Sequence, residues 1–142
     1  RIKELAIDGV EAEVLYTTLG FRLFRLTDAT FQQALFRGYN TWISEYCNYD
    51  SKHMIGLGLI SLLDVNGGVK ELHRCAQLGL RGALIMASPP DGVSYADPRF
   101  EPFWAAASDL DMPISLHILT GHGDESRNAG KFKENHYLCC SI

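Results

Sequence analysis

Pro113-Ile114-Ser115-Leu116-His117-Ile118-Leu119 is an apolar run interrupted by one imidazole. Such a run reads as a buried parallel strand. A histidine near the end of a strand of this kind is where an α/β barrel holds a metal. The residue alone leaves a second reading open, because a lone histidine in an apolar run is more often a core side chain bonded to a neighbour.

Working outward from this strand, the chain alternates strand and helix. Pro113 ends a helix packed down by Phe103, Trp104, Ala106, Ala107 and Leu110, with Pro102 in its first turn, where a missing N–H costs nothing. Before it lies a loop rich in turn formers, Ser88 to Arg99, and before that the strand-like run Gly82 to Ala87. Val69, Leu72, Cys75 and Ala76 mark the inner face of another helix, capped by Asp64 or Asn66 and stopped by Gly79. Met54 to Leu62 reads as a buried strand whose glycines permit close backbone packing. Phe31, Ala34, Leu35, Tyr39, Trp42, Ile43, Tyr46 and Cys47 recur at helical spacing behind the capping residue Asp28, and this stripe is expected to be core. Val14 to Thr18 is β-rich, and Arg1 to Val10 reads as the end of a helix turning at Asp8-Gly9. The order implies parallel strands joined by right-handed helical crossovers. Gly121 to Ile142 shows neither period and reads as an irregular tail.

The chain has 142 residues, enough for one domain with a real core but short of the ~250 residues of a complete eight-stranded barrel. The apolar fraction of 46% is that of a globular protein, and no apolar stretch is long enough to span a bilayer. The net charge of -4, with mixed signs and no basic stripe, argues against nucleic-acid binding. Cys47 and Cys75 fall on apolar helical faces, and the adjacent Cys139-Cys140 pair fits no disulfide or metal spacing, so a reducing, cytoplasmic setting is expected. Arg1 is not a methionine and no leader precedes it, so the natural start is expected to lie upstream. The absence of G-x-G-x-x-G and of G-x-x-x-x-G-K-[ST] weakens a nucleotide-binding sheet.

Several stretches together resemble one family. They are Tyr39-Asn40-Thr41-Trp42-Ile43, Glu71-Leu72-His73-Arg74-Cys75 followed by Leu78-Gly79-Leu80-Arg81-Gly82, Tyr95 to Ala107, and Met112-Pro113-Ile114-Ser115-Leu116-His117. Over roughly residues 10 to 120 the chain resembles the amidohydrolase-related barrels typified by aminocarboxymuconate-semialdehyde decarboxylase and the resorcylate-type decarboxylases. The resemblance implies a partial (β/α)8 TIM barrel, about the second to fifth parallel strands, in a domain spanning residues 1–120, followed by the tail at 121–142. It also implies a divalent metal, most often zinc, at the C-terminal mouth. Family ligands come from a first-strand H-x-H or E-x-H, a histidine ending the fifth strand and an aspartate on the eighth. His117 matches the fifth-strand histidine. No H-x-H or E-x-H precedes Ala12, and nothing after Leu119 resembles strands six to eight.

The resemblance therefore implies a hydrolase or non-oxidative decarboxylase acting on a small carboxylate or cyclic substrate, with metal chemistry that polarises an oxygen or activates water. A catalytic zinc needs about three protein ligands, so this piece alone is expected to be inactive. His122, just past the strand, and Ser88, at the end of the preceding one, are secondary candidates for substrate contact. The plainer readings are a solvated loop histidine and a turn serine. His73 is expected to face solvent, His53 to sit at the opposite end of the barrel, and His136 to lie near the cysteines by chance. Two other readings stand beside the enzyme: a non-catalytic truncated chain that self-associates through exposed strand edges, and an unrelated α/β domain that binds a small ligand at its strand ends.

Overall fold

All strand pairs in the computed structural model are parallel, and each crossover is carried by a helix or, between β2 and β3, by a single residue. The structure describes residues 1–89, 93–117 and 120. The elements are α1 (Ile2–Ile7), β1 (Glu13–Leu15), a 3-10 segment (Leu19–Arg25), α2 (Ala29–Cys47), β2 (Met54–Gly56) and β3 (Gly58–Leu59). They continue with α3 (Val65–Gln77), β4 (Ala83–Met86), a 3-10 turn (Pro98–Phe100), α4 (Glu101–Asp109) and β5 (Ile114–His117). This is a partial α/β fold with no closed barrel among the described residues. The tail expected at 121–142 lies outside them. No helix of the described residues is long and apolar enough to cross a membrane.

The run expected as one strand, Met54 to Leu62, divides at Leu57. On its first side β2 pairs with β1, and on its second β3 pairs with β4, which pairs in turn with β5. The chain thus changes neighbour in mid-course. Past the change, Gly58 N–H donates to Gly82 O and Ile60 N–H donates to Leu84 O, so the polar groups of Leu59 face away from β4. Asn40 of α2 takes them both. Leu59 N–H donates to its Oδ1 at 2.7 Å, and its Nδ2 donates to Leu59 O at 3.0 Å and to Glu71 Oε1 at 2.9 Å. A single amide side chain stands where another strand would be. The glycines on either side of Leu57 admit the helices: a Cβ at Gly56 would lie 3.0 Å from Cys47 Sγ, and one at Gly58 would lie 2.8 Å from Cys75 Sγ.

The buried face of α2 is the main departure from the sequence pattern. Phe31, Trp42 and Tyr46, expected in the core, are 52%, 54% and 42% exposed. The face turned inward carries Gln32, Phe36, Asn40, Ile43, Ser44 and Cys47. Polar groups survive there because each of them bonds backbone groups of the elements it packs against. Gln32 Nε2 donates to Leu23 O and Leu26 O, and Ser44 Oγ donates to Leu78 O. The helix starts where expected, with Phe31 N–H donating to Asp28 Oδ1 at 2.9 Å. Of the two candidate caps for α3, Asp64 is the one used. Gly79, at φ +81°, ends the turn after that helix in the left-handed region glycine favours.

Two apolar layers flank the sheet. Ile60, Ala83 and Ile85 pack outward with Leu72, Cys75, Phe103, Ala106 and Ala107 of α3 and α4. Leu59, Leu84 and Met86 pack on the other side against Phe24 and Phe36. The 3-10 segment supplies Phe24, and Phe21 and Leu23 border it, so Leu19–Arg25 lies across the inner face of the sheet.

Candidate active site

His117 ends β5, and the register pairs it with Met86, as it pairs Leu116 with Ile85 and Ser115 with Leu84. Residues two apart on a strand share a face. Ser115 and His117 therefore stand on the inner face with Leu84 and Met86, while Ile114 joins the outer, helix-packed layer. His117 is half-buried at the C-terminal end of the sheet, the end at which α/β barrels place their chemistry.

Residues from the other end of the chain converge on it. The Phe21 ring stacks on the imidazole with centroids 4.0 Å apart and planes 21° from parallel. Tyr16, the residue after β1, lies with its ring centroid 6.3 Å from the imidazole, and its hydroxyl is 2.9 Å from Ser115 Oγ. Phe21 is held in place by its own segment. Gly20 N–H donates to Thr17 Oγ1, and the fully buried Gln32 holds Leu23 O and Leu26 O. Behind His117, Thr120 closes the strand end: its N–H and Oγ1 both donate to His117 O, and its Oγ1 accepts from Ala87 N–H.

The other sequence candidates divide. Ser88 is half-buried, two residues beyond the Met86 that pairs with His117, and so lies at the same end of the sheet. His122, His136, Cys139 and Cys140 lie outside the described residues. His73 is exposed. His53 precedes β2 at the opposite end, with Nδ1 2.8 Å from Asp50 Oδ1. Cys75 is fully buried, and burial, with Glu71 nearby, pushes its thiol up to about 12, which removes it as a nucleophile near neutral pH. Tyr16, Phe21 and Ser115 were not singled out from the sequence. Ser115 carried a usable signal, its two-residue spacing from His117. Tyr16 and Phe21 carried none.

Among the described residues no three of His, Cys, Asp and Glu come together as a metal shell. They offer a metal one donor, the strand-end imidazole of His117. In donor chemistry and position that residue fits a divalent cation, which would need further ligands beyond it.

Parallel strands joined by helical crossovers, with a histidine at the C-terminal end of the last of them, are the features of an α/β protein of the amidohydrolase type. The family comparison agrees: the Amidohydrolase model matches residues 16–134, and the chain belongs to that family. It is 34% identical over 90 residues to gamma-resorcylate decarboxylase of Rhodococcus jostii (strain RHA1), covering 57% of this chain and 27% of that protein. The crystal structure of 2,6-dihydroxybenzoate decarboxylase from Rhizobium, also solved with 2,6-dihydroxybenzoate bound, superposes with a TM-score of 0.71 at 27% identity. That match covers 82% of this chain and 38% of the other. A 5-carboxyvanillate decarboxylase from Novosphingobium aromaticivorans DSM 12444, with bound manganese and 3-methoxy-4-hydroxy-5-nitrobenzoic acid, matches at 25% identity and a TM-score of 0.71. It covers 82% of this chain and 33% of that one. The chain thus spans well under half the length of these relatives, all of them decarboxylases.

Proposed function

We propose that this chain is the part of a metal-dependent, non-oxidative decarboxylase that carries the second to fifth barrel strands, within residues 1–120. His117 supplies one ligand to a divalent cation, and the substrate is a small aromatic carboxylate. The observation that carries the reading is the placement of His117: it ends a parallel strand on the inner face of the sheet, among side chains drawn from distant parts of the chain. The manganese named with the Novosphingobium enzyme supports a divalent metal. Zinc, expected from the resemblance, remains part of this proposal. The names of the relatives favour carbon dioxide release over hydrolysis.

A bound cation would supply a positive charge at which substrate oxygens are held and polarised. The protein's own contribution follows from its geometry. His117 would hold the cation through a ring nitrogen, a ligand only in the unprotonated imidazole. Phe21 lies flat on one face of that ring and restricts its rotation. Leu84 and Met86, on the same face of the sheet, are buried against Phe24 and Phe36 and make the adjoining interior apolar. Among the described residues too few ligands come together to hold a catalytic cation, and the chain alone is expected to be inactive.

The test compares the full-length protein carrying this chain with its His117→Ala variant, measuring bound metal by elemental analysis and carbon dioxide release from 2,6-dihydroxybenzoate. The expected result is loss of both in the variant. Metal content equal to that of the parent would sink the assignment of His117, and a parent that releases no carbon dioxide from hydroxybenzoates would sink the reaction class.

A further inference from the structure

We propose that the hydroxyls of Tyr16 and Ser115 form a subsite that takes an anionic oxygen, carboxylate or phenolate, of the aromatic substrate bound beside His117. The proposal deepens the reading given above and rests on it.

Two hydroxyls bonded to each other use one proton between them. Whichever of Tyr16 and Ser115 donates, the other keeps an O–H free to point elsewhere. Among the described residues neither hydroxyl makes a further hydrogen bond, and no basic side chain is bonded to either. The pair therefore presents a neutral donor to whatever occupies the space in front of it, and its natural partner is an oxygen lone pair. An anionic oxygen is favoured, since hydrogen bonds to charged acceptors are roughly twice as strong as those between neutral groups.

A purely structural role explains the pair poorly. Tyr16 is 48% exposed, and its bond to Ser115 lies in the open. A hydrogen bond between exposed hydroxyls replaces two bonds to water and adds little stability. Yet the contact spans 99 positions in sequence and lies on the face and at the sheet end that carry His117. The walls indicate the shape of the ligand. The Tyr16 and Phe21 rings both border the imidazole. Apolar walls with a few convergent donors suit a flat apolar body bearing oxygens. The metal would carry the charge and the hydroxyl pair would set the orientation.

The test uses the metal-loaded full-length protein and measures the dissociation constant of 2,6-dihydroxybenzoate by calorimetry, with metal content determined on the same samples. Tyr16→Phe and Ser115→Ala should each weaken binding about tenfold, equivalent to about 1.4 kcal/mol, at unchanged metal content. The double variant should lose less than the product of the two, since the hydroxyls act as a unit. Should Tyr16→Phe fail to fold, Ser115→Ala decides alone. Affinities within twofold of the parent in the folded variants would overturn the subsite, as would a metal-bearing parent with no affinity for the probe. A parent without metal overturns the underlying reading and the subsite with it, so the two failures are told apart by the metal measurement.

Discussion

His53 and His117 stand at opposite ends of the same set of parallel strands, and they are held in opposite ways. His53 is tied locally: Asp50, three residues earlier, accepts from its ring at 2.8 Å, and the two close the turn between α2 and β2. His117 is surrounded by residues from far upstream, with Phe21 on its face and Tyr16 near its edge. A histidine whose partner is its own turn stabilises that turn. A histidine on which distant elements converge occupies a place the whole fold has to build, and such places carry chemistry.

The largest expected effect breaks the symmetry between the two residues. His117→Ala should abolish metal binding and turnover in the full-length protein, while His53→Ala should leave both within twofold of the parent. Equal losses from the two substitutions would erase the distinction. Next comes the support beneath the site. Asn40→Ala leaves the buried N–H and C=O of Leu59 without their side-chain partner and should destabilise the protein by about 2–4 kcal/mol, measured by denaturant melts. A loss below about 1 kcal/mol would mean that water replaces the amide freely. Phe21→Ala removes a half-buried ring from the inner face and should cost about 1.5 kcal/mol in the same melts, with a lower metal affinity that Phe21→Tyr restores.

The smallest effect belongs to the other end. The side-chain hydrogen bond from His53 holds the Asp50 carboxyl below the usual carboxylate range. A group whose value is lowered on folding contributes stability above its unfolded value and loses that contribution as pH falls through the folded one. Asp50→Asn should therefore be slightly less stable than the parent near neutral pH and indistinguishable from it in strong acid. Melts at both pH values check this, and a difference that persists in acid would show that the bond does not depend on the carboxylate charge.

Much of this architecture is legible in the sequence. The alternation of elements, the Asp28 cap, the stop at Gly79 and the strand ending at His117 all follow from period and local chemistry, and each is found. The orientation of α2 is not legible by those rules. Apolar spacing points Phe31, Trp42 and Tyr46 inward, but the inner surface is set by carbonyls and N–H groups of Leu23, Leu26, Leu59 and Leu78 that need Gln32, Asn40 and Ser44. Those needs exist only once the chain is folded. The division at Leu57 is hidden for the same reason, because a buried strand looks identical whichever neighbour it pairs with. At the site, His117 was readable as a strand-end imidazole, and Ser115 was half-readable from its spacing. Tyr16 and Phe21 arrive through tertiary packing alone.

The change of neighbour at Leu57 also divides the molecule mechanically. No continuous ladder of hydrogen bonds runs from β1 to β5, so β1 and β2 can fray while β3, β4 and β5 stay zipped, with α2 splinting the seam by packing on both sides. Tyr16 hangs from the end of β1 yet reaches Ser115 across that seam. Loosening of the amino-terminal strand would thus withdraw Tyr16 from Ser115 while the strand bearing His117 remained intact, so the proposed subsite would come apart before the protein does.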